Sequence, residues 1–326
     1  MRLSILDDYQ GVALDMADWE ALAPRAGVEA FRDHVRNEAA LLRRLAPFDA
    51  IVAMRERTPF PERILAELPR LRLLVTTGMA NASIDVEAAT RLGIIVAGTD
   101  VLAPPTVELT WALILAVARR VPQEDRATRD GQWQTSLGVG LHGKILGVIG
   151  LGRLGSQVAA IGRAFGMRLA AWSQNLTAER AAACGAALRS KEALLAESDI
   201  VTIHLRLSER TRGLIGAADL RRMKPAAYLV NTSRGPIVEE RALVGALRTG
   251  VIAGAALDVY DDEPLPSRHP LLSLGNVVLT PHLGYVTREN YEVFYRDAAE
   301  DVAAFLRGAP VRVLNSAVLT SSARRA

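Results

Sequence analysis

The chain has 326 residues, which at roughly 150 per domain leaves room for about two buried cores and excludes a disulfide-stapled miniprotein. Lys and Arg number 39 against 36 Asp and Glu, a formal net charge of +3, so the charge balance asks for no nucleic-acid partner. Half the residues are hydrophobic and 23% charged, the profile of a folded chain, and with only 5% aromatics its core must be filled by Ala, Val, Leu and Ile.

The N-terminus, MRLSILDDYQ, meets acidic residues at once and lacks the basic start and apolar core of a secretory signal. Short apolar runs at residues 3–6, 50–53, 73–76 and 94–97 read as strands, with helices over 37–45, 61–68 and 84–91 between them. That alternation predicts a parallel sheet covered by helices. Pro104 and Pro105 open a long apolar helix over 106–120, proline being tolerated in a first helical turn. Its most apolar part, 111–118, is far short of the roughly 20 residues a membrane span needs, so no membrane partner is expected. Residues 123–142, polar and carrying Gly131, Gly138 and Gly140 around Trp133, read as an extended connection that contacts a partner subunit.

A second series begins at Lys144, with strands over 145–149, 168–172, 200–205, 228–231, 253–259 and 277–280 and helices over 178–184, 191–196 and 239–249. This is the rhythm of a doubly wound sheet. The last helix, 288–307, is long enough to return to the first unit. The expected fold is therefore α/β, two Rossmann-like or flavodoxin-like domains with parallel sheets. Residues 1–100 plus 287–326 form one discontinuous domain, and 101–286 are inserted into it. The single cysteine, Cys184, can make neither an internal disulfide nor a cysteine-based zinc site. A reducing cytoplasm is the expected location, and no metal is expected.

The segment KILGVIGLGRLGSQVAAIGRAFG places Gly150, Gly152 and Gly155 in G-x-G-x-x-G spacing, after an apolar strand and before an amphipathic helix. Gly150 permits the tight turn, Gly152 lets backbone approach a pyrophosphate, and Gly155 lets helix and strand pack closely. The helix N-terminus adds N–H donors and the positive end of its dipole. Dinucleotide binding follows. The next strand should end in an acid if the cofactor is NAD. It ends instead in Trp172-Ser173-Gln174-Asn175, with no carboxylate before Glu179. That leaves both NAD and NADP open, Ser173, Asn175, Thr177 and Arg180 being possible donors to a 2′-phosphate.

Three further loops follow strands of the second series: Asn231-Thr232-Ser233-Arg234-Gly235-Pro236, Leu257-Asp258 through Glu263-Pro264, and Thr280-Pro281-His282-Leu283-Gly284-Tyr285. Loops beyond the carboxyl ends of parallel strands line the ligand crevice. Together with GLGRLG, Val107-Glu108-Leu109, Ser198-Asp199-Ile200 through His204, Thr211-Arg212-Gly213 and Met223-Lys224-Pro225, they resemble the D-isomer-specific 2-hydroxyacid dehydrogenases over nearly the whole chain.

That resemblance implies hydride transfer between a nicotinamide cofactor and a 2-keto or 2-hydroxy acid of the D series, chiefly as a keto-acid reductase. It makes Arg234, Glu263 and His282 the catalytic residues, and their chemistry agrees. The reduction needs an acid that titrates near neutrality, which histidine is. A carboxylate beside an imidazole favours the protonated ring and fixes its orientation, the tuning role of Glu263 toward His282. Arg234, always charged and planar, suits a substrate carboxylate and the charge growing on the carbonyl oxygen. The resemblance also places Asp258 near the nicotinamide, Thr232 and Arg234 beside the cofactor, and the substrate carboxylate on the backbone of Gly78, Met79 and Ala80. It puts the backbone of Arg153 and Leu154 at the pyrophosphate turn, and contacts of the cofactor with Ser173, Gln174, His204 and His282 are expected as well. The inserted domain is then the NAD(P)-binding domain and the discontinuous one the substrate domain. A homodimer forms through the former, and hinges fall near 97–105 and 284–288.

The sequence departs from the family at Ala80, where glycine is usual, at Ala82-Ser83 in place of Asp-Asn, and at Arg206 in place of proline. Within Met54-Arg55-Glu56-Arg57-Thr58, Arg55 or Arg57 could meet a second acidic group, or the segment is a solvated turn. His34, His142 and His269 read as surface or structural, and Tyr285, Tyr291 and Tyr295 as ordinary packing. A competing reading of the same fold is a cofactor-sensing binding protein, as in related corepressors.

Overall fold

The structure, a computed structural model, describes residues 1–23 and 25–322 and divides into two compact units, Met1–Leu102 with the chain from Thr287 onward, and Ala103–Val286. Residues 323–326, which the expected discontinuous domain includes, lie outside the described part.

In the first unit, strands β1 (Arg2–Ile5), β2 (Gly27–Ala30), β3 (Ala50–Ala53), β4 (Leu73–Thr76) and β5 (Ile95–Gly98) form one parallel sheet in the order β2-β1-β3-β4-β5. Its helices are α1 (Glu38–Leu45), α2 (Glu62–Leu65) and α3 (Val86–Arg91), with α11 and α12 added from the C-terminal end of the chain. The side chains of Asn37 and Asp85 start α1 and α3 by accepting the Ala40 and Ala88 N–H groups. β3 and β4 are buried along their whole length, which is why they read as apolar runs broken only by Thr76 at the end of β4.

The second unit begins with α4 (Pro104–Arg119) and α5 (Val121–Arg129). It continues as β6 (Ile145–Ile149), α6 (Arg153–Ala164), β7 (Arg168–Trp172), α7 (Ala178–Ala183), β8 (Ala186–Leu188), α8 (Lys191–Glu197), β9 (Ile200–Ile203), α9 (Ala217–Leu220), β10 (Tyr228–Asn231), α10 (Glu240–Arg248), β11 (Gly254–Leu257) and β12 (Val277–Leu279). All seven strands pair in parallel in the order β12-β11-β10-β9-β6-β7-β8, so the direction of winding reverses between β6 and β9. That reversal opens the loops after β6 and β9 toward one crevice. On one face Trp111 and Ile114 of α4 pack with Val158 of α6 over β6 and β10, and Trp111 also stacks on Phe165 at 4.9 Å.

The chain returns to the first unit as α11 (Arg288–Leu306), whose Phe294, Tyr295, Ala298 and Val302 are fully buried, and ends in α12 (Ala317–Ser322). α11 packs on β4. Asn290 Oδ1 on α11 accepts the Leu102 N–H at 2.9 Å, and Asp297 Oδ2 accepts that of Asp100 at 2.9 Å.

The extended connection expected over 123–142 is corrected in its first part, because Val121–Arg129 is the helix α5. Pro122 sits in its first turn, and Arg129 Nε reaches Asp125 one turn back at 3.0 Å. Two strands lacked any sequence signal. β2 and β8 are edge strands whose residues are mostly exposed or half-buried, so no apolar run marks them. Among the described residues, no helix is long and apolar enough to cross a membrane.

Candidate active site

The loop after β12 turns back on itself at His282, whose φ of +56° lies in the left-handed region. Only a surrounding structure that over-determines it holds a non-glycine residue there. Here the hold is Asp258, at the end of β11 and 0% exposed. Its Oδ1 accepts the Thr280 hydroxyl at 2.6 Å and the Leu283 N–H at 2.7 Å, and its Oδ2 accepts the Gly284 N–H at 2.9 Å. One carboxylate thus clamps the loop on both sides of His282, through a side-chain hydroxyl before it and two backbone N–H groups after it. Burial pushes the Asp258 carboxyl above its usual range, against the pull of the Thr280 hydroxyl, the two amides and the imidazole.

The clamped histidine presents Nδ1 to Glu263, whose Oε2 lies 2.6 Å away, the side chains being 16% and 28% exposed. Glu263 Oε1 accepts the Tyr260 N–H at 2.9 Å, so both oxygens of this carboxylate are fixed. The Glu263-Pro264 peptide is cis. Tyr260 ties the two loops together, its hydroxyl donating to the Thr280 carbonyl at 2.9 Å, and burial raises the pKa of this phenol. The Tyr285 ring meets the His282 ring edge-on at 5.3 Å.

Arg234 follows β10 in extended conformation, φ −150° and ψ 140°. Asn231 shapes this turn by accepting the Ser233 N–H at 3.0 Å and donating to the Arg234 carbonyl at 2.9 Å. Ser233 donates its hydroxyl to the Leu205 carbonyl, and Thr232 Oγ1 lies 2.8 Å from Thr110 Oγ1 of α4. Gly235 then presses on the loop that carries Glu263, where a Cβ would stand 2.6 Å from the Asp261 nitrogen and collide with the Tyr260 carbonyl. The loops of Arg234, Glu263 and His282 are therefore one packed assembly.

Across the sheet reversal, Gly150 has φ +99°, and a Cβ there would stand 2.6 Å from the His204 carbonyl oxygen. A Cβ on Gly155 would collide with the Gly150 carbonyl, whereas one on Gly152 would meet nothing within 4 Å. No side chain caps α6, which opens at Gly152 followed by Arg153 and Leu154. The turn is closed beneath and open above, with unclaimed helix N–H donors lining it. His204 lies next to it, its Nε2 2.9 Å from Thr202 Oγ1, and burial pulls its pKa down to about 4, so the ring is neutral at pH 7. Ser173 is half-buried at the end of β7, while Gln174 and Asn175 are exposed in the following turn.

Gly78, Met79 and Ala80 belong to the other unit, after β4. Gly78 is left-handed at φ +94° and its N–H donates to Thr99 Oγ1 at 2.8 Å, while Met79 and Ala80 are exposed. Ala80 is not among the left-handed residues, so alanine fits where glycine is usual. The Arg55 guanidinium lies over this loop, donating to the Thr77 carbonyl at 2.9 Å, and Arg57 donates to the Asp7 carbonyl at 2.8 Å while covering the Tyr9 ring. Among the described residues, no group of three or more His, Cys, Asp or Glu side chains is placed to hold a metal ion.

Asp258 as a clamp on His282 escaped sequence reasoning, since its partners are backbone amides 25 and 26 residues away. Thr110 and Tyr260 carried no signal either.

Comparison with known proteins gives the family. Residues 111–284 match the family model described as D-isomer specific 2-hydroxyacid dehydrogenase, NAD binding domain. A glyoxylate reductase of Aeropyrum pernix is 49% identical over 267 residues, 78% of this chain and 80% of its own. One from Thermococcus litoralis is 39% identical over 86% of this chain and 88% of its own. The crystal structure of a phosphoglycerate oxidoreductase from Vibrio cholerae o395 superposes with a TM-score of 0.90 at 39% identity, covering 95% of this chain and 100% of that one.

Proposed function

Because the chain belongs to the D-isomer specific 2-hydroxyacid dehydrogenases, an oxidoreductase family with a nicotinamide cofactor, we propose that it reduces short 2-keto acids such as glyoxylate, with Arg234, Glu263 and His282 as its catalytic residues. The observation that carries this reading is the 2.6 Å contact between Glu263 and a His282 held left-handed by Asp258.

The residues present fit a dinucleotide. The open turn at Gly152 and the uncapped start of α6 would hold its pyrophosphate, and Thr232, His204 and the Asp258 loop would border it. When bound in reduced form, it supplies the hydride. Ser173 and Gln174, standing where an acid would repel a 2′-phosphate, support acceptance of NADPH as well as NADH.

Arg234 binds the substrate carboxylate with its planar donor fork and stabilises the charge growing on the carbonyl oxygen. Taken by itself, the first unit offers the exposed N–H groups of Met79 and Ala80 as donors suited to a carboxylate, that of Gly78 being engaged by Thr99. His282 keeps a proton on Nδ1 for Glu263, so Nε2 is the atom that delivers a proton to the substrate oxygen or, in the oxidative direction, removes one. Glu263 does not itself exchange protons with substrate. It fixes the ring and compensates the imidazolium charge.

The second unit also carries the surface for a homodimer. Trp133 is 79% and Leu137 93% exposed in the segment after α5, an arrangement that supports burial against a second copy.

The test is a panel of glyoxylate, hydroxypyruvate, pyruvate and bulkier 2-keto acids with NADH and with NADPH. Arg234→Ala, Glu263→Ala and His282→Ala should each lower kcat by orders of magnitude, and full activity of the Arg234 variant would sink the assignment.

A further inference from the structure

His269 stands apart from the catalytic loops, yet its two ring nitrogens are both engaged. The Leu271 N–H donates to Nδ1 at 3.3 Å, and Nε2 lies 2.8 Å from Glu240 Oε1. A nitrogen that accepts from an amide carries no proton, so Nε2 is the donor to Glu240. Glu240 is the first residue of α10, and its second oxygen, Oε2, accepts the Asp261 N–H at 3.4 Å. Burial first, and then the neighbouring Glu240 carboxylate, hold the Asp261 carboxyl above its usual range, while Arg212 opposes them.

The peptide that offers this N–H joins Tyr260 to Asp261. It is the same peptide on which Gly235 rests, with 2.6 Å between a Cβ there and the Asp261 nitrogen. Gly235 follows Arg234 directly, and the Tyr260 N–H fixes Glu263 Oε1 at 2.9 Å. Tyr260 therefore joins the two loops, its carbonyl side lying against Gly235 and its own N–H, in the preceding peptide, holding Glu263, and Glu240 is the side chain that grips the Tyr260–Asp261 peptide between them. The grip is long at 3.4 Å, so it depends on the Glu240 rotamer, which the short charge-assisted bond from His269 sets.

We propose that His269 is a positioning residue for the reaction, acting through Glu240 to hold the Tyr260–Asp261 peptide against Gly235 and so to keep Glu263 on His282. The proposal rests on the assignment of Arg234, Glu263 and His282 as the catalytic residues. A purely local role would be to cap the helical turn Pro270–Ser273, for which an acceptor at Nδ1 suffices. Donation from Nε2 to Glu240 is what a cap does not need.

Two substitutions separate the roles. His269→Asn keeps an acceptor near Nδ1 and loses the donor at Nε2, whereas His269→Gln keeps the donor and loses the cap. Measured with glyoxylate and NADH, kcat should fall roughly tenfold in His269→Asn, within the range for a misplaced catalytic group, and stay within twofold of wild type in His269→Gln. In a Glu263→Gln background, His269→Asn should cause no further fall. Full kcat in His269→Asn, equal losses in the two variants, or losses additive with Glu263→Gln overturn the proposal. A readout independent of turnover is the Nδ1 proton resonance of His282 in 15N-histidine-labelled protein. It should shift in His269→Asn and not in His269→Gln, and an unchanged resonance overturns the proposal. Should Glu263→Gln retain full kcat, the catalytic assignment fails, and this resonance still decides whether His269 positions Glu263.

Discussion

Replacing Asp258 by Asn changes one atom and tests the clamp on His282. The carboxylate accepts three hydrogen bonds, two of them from the amides that follow His282. The amide keeps one oxygen for them and turns an NH2 group toward a donor. Each charge-assisted bond contributes about 1.5–3 kcal/mol. Holding a non-glycine residue left-handed costs about 1–3 kcal/mol. Losing one bond therefore removes as much as the strain at His282 consumes, and the ring no longer stays within 2.6 Å of Glu263. At about 1.4 kcal/mol per factor of ten, kcat should fall roughly 10- to 100-fold. The assay is steady-state reduction of glyoxylate at saturating cofactor, with thermal melting alongside to show that the variant is folded. A kcat within twofold of wild type, or a loss confined to the KM for cofactor, would refute the clamp.

Other residues give equally direct expectations. His204, pulled down to about 4 from an ordinary 6.5, binds its proton later than the unfolded chain does as pH falls. The stability it contributes is complete above 6.5 and is lost at about 1.4 kcal/mol per pH unit down to about 4. In urea melts, the gap between wild type and His204→Gln should narrow by about 2 kcal/mol from pH 7.5 to 5, and a constant gap would contradict the neutral ring. The gap is the proper measure, because Asp301, pushed up to about 7 by burial, adds a slope of opposite sign to both proteins. Gly235→Ala places a methyl group on the Tyr260–Asp261 peptide and should cost at least tenfold in kcat, with normal kcat speaking against contact of the two loops. Ser173→Asp should cut kcat/KM with NADPH about tenfold or more by repelling the 2′-phosphate while sparing NADH, about 1.4 kcal/mol of discrimination, and equal effects on both cofactors would argue against Ser173 lining that position.

What could be read in advance followed from burial. β3, β4, β9 and β10 are buried along their whole length, so their sequences are dominated by apolar residues, with only Thr76, Thr202 and Asn231 breaking the runs, and were legible. β2 and β8 each have one neighbour and little burial, and nothing in Gly27-Val28-Glu29-Ala30 distinguishes an edge strand from a loop. α5 lacks any buried residue, and its mean character is that of a polar linker. At the proposed site, Arg234, Glu263 and His282 stand out in the sequence because each lies in a loop that follows a strand of the second sheet. The clamp by Asp258 and the grip of Glu240 on Asp261 do not, because both join side chains to backbone N–H groups more than 20 residues away, and backbone donors leave no mark in a sequence.

The return of the chain at Thr287 also bears on synthesis. β4 is made early, but Phe294 and Tyr295 of the helix that packs on it follow about 220 residues later. At about 5–20 residues per second, the face of the first sheet stands bare for roughly 10–40 s while the whole second unit leaves the ribosome. A chain broken off before Arg288 would hold the whole of the second unit, yet it would lack the helix that buries Phe294 and Tyr295 in the first.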